Sequence, residues 1–123
     1  MKLLYLVLGG AAGTVSRYVL SAVVHENVGH RFPYGTLTVN ALGCFIVGFL
    51  STMNEGSVFL DENMKMLLAV GFCGAFTTFS TLILETSHLA KGGESLRALF
   101  YIALSILAGV AAFIAGHRLG RLI

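Results

Sequence analysis

The 123-residue sequence predicts an all-α membrane protein of four transmembrane helices, and three observations carry that expectation. Hydrophobic residues make up 56% of the chain and charged ones only 11%, where a soluble domain carries roughly 25% charged residues. The mean hydropathy of +0.84 is more than a globule of 13.1 kDa could hide from water. Four apolar runs are separated by short polar stretches, and four spans of about 20 residues use about 80 residues and leave only connections. The chain reads as one unit, 1–123, with no room for a catalytic or nucleotide-binding domain in water.

The first span is expected at about 3–24, followed by a turn-forming, charged stretch over 25–31. Met1-Lys2 before an apolar core resembles a signal peptide, but Arg17 interrupts the run and equally apolar segments follow, so this span is expected to be retained. The second span, about 34–53, opens after Pro33, which suits a helix start because proline lacks an N–H. A polar loop is expected over 54–63. The third span, about 64–89, contains Gly71-Phe72-Cys73-Gly74-Ala75-Phe76-Thr77-Thr78-Phe79-Ser80-Thr81, poor material for a continuous helix. A break there frees backbone groups at membrane depth, which is tolerated only where they are buried in protein or line a wet cavity. A loop with Gly92-Gly93 precedes the fourth span, about 96–116, and a basic tail.

Four spans put both termini and the middle loop on one side, with Lys2, Lys65, Arg118 and Arg121, against Arg31, Lys91 and Arg97 on the other. Lys/Arg asymmetry sets orientation. Four against three is almost none, so the chain is expected to insert both ways up and to form an antiparallel dual-topology homodimer. The alternative is a weakly biased single orientation.

Composition excludes several functions. Eight scattered Lys and Arg, for a net charge of +2, make no basic patch for nucleic acid. There is no Ser-His-Asp context, no HExxH and no phosphate-cradling loop, so no enzyme is expected. Cys44 and Cys73 lie in apolar runs without CxxC spacing and read as buried thiols. Gly9 with Gly13, and Gly43 and Gly48, read as close helix packing. The four histidines lie near span ends and read as interfacial.

The informative residues are polar ones inside the membrane. Arg17 either snorkels to the interface or attracts an anion or supports a dimer contact. Asn40, one turn from Thr36, is too short to reach water and serves either a helix-to-helix hydrogen bond or a permeation path. Phe72, Phe76 and Phe79 form a helical stripe beside the hydroxyls of Thr77, Thr78, Ser80 and Thr81, which sets hydrogen-bonding groups against positively polarised ring edges. Glu85 is expected to face the bundle, and Tyr101 and Ser105, four apart, to share one helix face.

Gly9-Gly10-x-x-Gly13-x-x-x-Arg17-Tyr18, Gly35-Thr36-Leu37-x-Val39-Asn40-x-x-Gly43 and the Gly71-to-Thr81 motif with Glu85, taken together, resemble the Fluc/CrcB fluoride channels across all four spans. The resemblance implies a dual-topology homodimer with two antiparallel pores that exports fluoride passively from a prokaryotic cell, across the plasma membrane (the inner membrane in a Gram-negative cell). Asn40 is then the pore-lining amide and Phe79 a ring along the ion path. Thr81, Glu85, Tyr101 and Ser105 occupy polar positions further along it, and Arg17 is the basic residue near the mouth. The backbone carbonyls of Gly74 and Thr77 would hold a structural sodium ion (Na+) at the dimer centre. One position departs: Leu82 stands where the family usually has a second phenylalanine. The other reading is a small dual-topology proton-coupled multidrug-type exporter, but that class places its carboxylate in the first span, where this chain has Arg17.

Overall fold

The computed structural model describes residues 1–53 and 61–123. Among them run α1 (Lys2–Val28), α2 (Tyr34–Thr52), α3 (Glu62–Lys65), a π-helical stretch (Met66–Cys73), α4 (Gly74–Phe76), α5 (Phe79–Lys91) and α6 (Ser95–Gly120), with no strand among the described residues. Four segments are long and apolar enough to cross a membrane: Lys2–Val28, Tyr34–Thr52, Glu62–Lys91 and Ser95–Gly120.

Several helices outrun the apolar stretches that seed them. The charged turn expected from His25 begins only at Gly29, because polar side chains in the last turns of α1 bond back to its own carbonyls. His25 Nδ1 donates to the Ser21 carbonyl at 2.9 Å and Asn27 Nδ2 to the Val23 carbonyl at 2.8 Å. Gly29, at φ 103°, then turns the chain in a conformation that glycine adopts without penalty. Of the polar loop expected over 54–63, residues 54–60 lie outside the described residues. Its last two residues are helical, since Asp61 caps α3 by accepting the Met64 N–H at 2.8 Å. Glu62 also pairs with Lys2 at the start of α1.

Glycines set how closely the helices meet. A Cβ on Gly9 or Gly13 would run into the backbone carbonyls of Leu67 and Phe72, so α1 lies directly against the π-helical stretch. A Cβ on Gly48 would meet the Phe113 carbonyl, and one on Gly116 the Phe45 carbonyl, so α2 and α6 approach each other reciprocally. With no hydrophobic drive between helices in lipid, such close backbone contact supplies the association through dispersion. The most completely buried large side chains are Tyr101, Val39 and Cys73. Both cysteines are free thiols. Leucine, isoleucine and valine are exposed along α1 and α6, as a lipid-facing surface requires.

Candidate functional site

Thr77 (φ −86°, ψ 155°) and Thr78 (φ −150°, ψ 117°) are extended, and they interrupt the third membrane-length segment between α4 and α5. Asn40 of α2 repairs the interruption. Its Oδ1 accepts the Thr78 N–H at 2.7 Å and its Nδ2 donates to the Thr78 carbonyl at 2.9 Å, so one side-chain amide satisfies the Thr78 N–H and adds a second donor to a carbonyl that already opens α5. An amide suits this role because it offers donor and acceptor side by side. Thr78 also caps α5, its Oγ1 accepting the Thr81 N–H at 3.2 Å and donating to Thr81 Oγ1 at 3.0 Å.

These two bonds divert donors that a continuous helix would use. The carbonyl of Gly74 would ordinarily accept from the N–H of Thr78, and that of Thr77 from the N–H of Thr81. The first N–H is taken by Asn40 and the second by the Thr78 hydroxyl. Gly74 is exposed, and a Cβ there would meet nothing within 4 Å. Carbonyl oxygens are ligands of the kind a hard cation takes, and those of Gly74, which is exposed, and Thr77, which is half-buried, would supply two of them. Among the described residues no group of three or more His, Cys, Asp or Glu could hold a metal ion.

Glu85 on α5 is held from both sides. Thr36 Oγ1 on α2 donates to its Oε1 at 2.8 Å, and Tyr101 on α6 donates to its Oε2 at 2.7 Å. Thr36 and Tyr101 are both buried, and Phe32 sets its ring edge-on to Tyr101 at 5.3 Å. A carboxyl group placed among apolar helices requires such partners.

Two cavities flank the break and a third lies further along α5. A groove of about 510 Å³ brings together Asn40, Phe79 and Ser105, with Thr77 and Leu82, and among the described residues no charged side chain lines it. A second, of about 400 Å³, brings Arg17 and Thr81 together with Thr36 and Thr78. A third, of about 590 Å³, opens over Glu85 and carries His25, His30, His88, Arg31 and Arg97. Thr78 lines both the first and the second, and His25 both the second and the third.

Within the uncharged groove two features stand out. The Ser105 hydroxyl is buried without a hydrogen-bond partner among the described residues, a state that costs about 1–3 kcal/mol unless something else supplies the bond. Phe79 is 74% exposed, an unusual setting for a ring flanked by polar groups. The expected Phe72, Phe76, Phe79 stripe is divided by the break: Phe72 and Phe76 stack at 5.3 Å, whereas Phe79 begins the next helix. Leu82, by contrast, is 6% exposed and belongs to the core.

Sequence reasoning singled out Asn40, Glu85 and Tyr101, and named Thr36 and Thr78 as well, but not the pairings that join them. The role of Thr36 could have been suspected from its position one turn before Asn40. That of Thr78 lies in its backbone, which no residue type reveals, and His25 read only as an interfacial group.

The family model described as "CrcB-like protein, Camphor Resistance (CrcB)" matches residues 4–117. The "Fluoride-specific ion channel FluC" of Magnetococcus marinus is 46% identical over 123 residues, which is 100% of both chains. The protein of the same name from Solidesulfovibrio magneticus is 43% identical over 122 residues, covering 99% of this chain and 98% of that one. Its counterpart in Chlorobaculum tepidum is 42% identical over 114 residues, 93% and 90% of the two chains.

Proposed function

Because this chain belongs to the CrcB family, whose curated relatives are fluoride-specific ion channels, we propose that it is a fluoride channel that lets the anion leave the cell passively. The observation that carries this reading is the uncharged groove, where the Asn40 amide, the unpartnered Ser105 hydroxyl and the exposed ring of Phe79 meet. Fluoride is small and strongly hydrated, and a path for it must replace water without binding the ion too tightly to release it. A fixed positive charge inside the groove would hold it. An amide N–H, a hydroxyl and the positive edge of a phenyl ring are weaker donors that act together. Asn40 spends one N–H on Thr78 and keeps a second for the ion. Arg17, in the adjoining groove with Thr81, supplies attraction at the mouth.

The working unit in this reading is an antiparallel dual-topology homodimer with two pores in a prokaryotic plasma membrane. An open groove with a 74% exposed phenylalanine and an exposed glycine at the break is half a site, and a second copy would close it. The carbonyls of Gly74 and Thr77 would hold a sodium ion between the copies, where it supplies a fixed positive field. The exporter reading has no support, since Glu85, the carboxylate it would have to use, is engaged on both oxygens by Thr36 and Tyr101.

Reconstituted into liposomes loaded with potassium fluoride or potassium chloride and given an ionophore for the cation, the protein should release fluoride and retain chloride. Equal efflux of the two anions would overturn the reading.

A further inference from the structure

Among the described residues, His25 is the one that lines both the outer cavity over Glu85 and the inner groove of Arg17 and Thr81. We propose that His25 is an anion-binding residue between these two chambers whose affinity for fluoride is switched on by protonation. This deepens the channel reading and rests on it.

The geometry gives the switch its direction. The Ser21 carbonyl can only accept, so the bond of 2.9 Å fixes a proton on His25 Nδ1. In the neutral ring Nε2 is then a lone pair, which repels an anion. A second proton can enter only at Nε2, turning it into an N–H donor and making the ring a cation. The ring is also held in place, because Gly35 of α2 packs against it so closely that a Cβ there would lie 2.6 Å from Cε1. A side chain at position 35 would displace the imidazole.

The charged surroundings are defined on each side. From the loop after α1, His30 stacks on His25 with ring centroids 5.6 Å apart, and Arg31 faces the same cavity. From α5 come Glu85 and His88, and across the cavity Glu94 and Arg97 are paired with each other at 2.6 Å. From the inner groove the facing groups are Arg17 and Tyr18. His30 and His88 line the outer cavity but not the inner groove, so their protonation would raise anion concentration in the outer cavity alone.

The test is fluoride conductance of the reconstituted full-length chain across symmetric pH, with protein-free bilayers subtracted to remove neutral hydrogen fluoride. A cation on the wall shared by the two cavities concentrates anions there, so conductance should rise about threefold as pH falls and His25 gains its second proton, more at low ionic strength. His25→Asn should flatten the profile. Its Nδ2 can still donate to the Ser21 carbonyl, as Asn27 does to Val23, but it cannot gain a proton. His30→Asn and His88→Asn should keep a rising profile. A flat wild-type profile overturns the proposal without any variant, as does a His25→Asn channel whose conductance rises like the wild type. If His25→Asn does not assemble, His25→Gln gives the same reading. Absence of fluoride current at every pH would instead overturn the channel reading itself.

Discussion

Replacing Asn40 tests whether the break in the third span is held by one side chain. In the folded chain its amide makes two bonds to the Thr78 backbone, at 2.7 and 2.9 Å, around a residue only 9% exposed. Asn40→Ala orphans the buried N–H of Thr78, whose carbonyl, as the N-cap of α5, still accepts the first bond of that helix. An unsatisfied buried group costs about 1–3 kcal/mol, so the variant should lose about that much, an appreciable part of the total stability of a small protein. Asn40→Asp separates the contributions. It keeps an acceptor for the Thr78 N–H but sets a carboxylate oxygen against the Thr78 carbonyl and brings negative charge into the groove. It should therefore be destabilised and should also pass no fluoride. Unfolding titrations in mixed detergent, with helix content followed by circular dichroism, measure the first effect, and liposome efflux measures the second. An Asn40→Ala protein that unfolds within about 0.5 kcal/mol of wild type, inside the ordinary range of a neutral substitution, would show that Thr78 has other partners. Full fluoride flux in that folded protein would remove Asn40 from the ion path.

Phe79→Ala should fold normally, because the ring is 74% exposed in the protomer, yet lose most fluoride flux; Leu82→Ala, at a position 6% exposed, should lose about 2–5 kcal/mol of stability while the protein that folds still conducts. Leu82→Phe should also retain measurable flux, and the opposite ordering of Phe79 and Leu82 would make Phe79 only a packing residue. Single cysteines placed at either terminus, labelled in intact cells with an impermeant reagent, should be found on both faces of the membrane; one face alone would exclude dual topology. Replacing sodium by a bulky organic cation should lower flux or dimer stability, because the carbonyls of Gly74 and Thr77 have lost their helical donors. Unchanged flux and stability after exhaustive sodium removal would show that these carbonyls hold no such ion.

Sequence alone determined the four apolar runs, the small-residue faces of Gly9 with Gly13 and of Gly48, and a stretch around Thr77 and Thr78 that resists continuous helix. Each is a local or periodic property: hydropathy over about 20 residues, spacing along a helix, or intrinsic preference. The pairings that make the site are of another kind. Thr36 meets Glu85 across 49 residues, Asn40 meets Thr78 across 38, and Glu85 meets Tyr101 across 16. Periodicity says which residues share a face, but not how one helix is rotated and raised against the next. Here that is fixed by carbonyls meeting glycines, Phe113 against Gly48 and Phe72 against Gly13. The two extended threonines then turn α5 relative to α4, so Phe79 leaves the stripe of Phe72 and Phe76. Tyr101 and Ser105, one turn apart on α6, likewise take different surroundings: Tyr101 is buried against Glu85, while Ser105 faces the groove of Asn40 without a partner among the described residues. Only packing between helices could make that distinction, because the difference lies in what the neighbouring helices present to each residue.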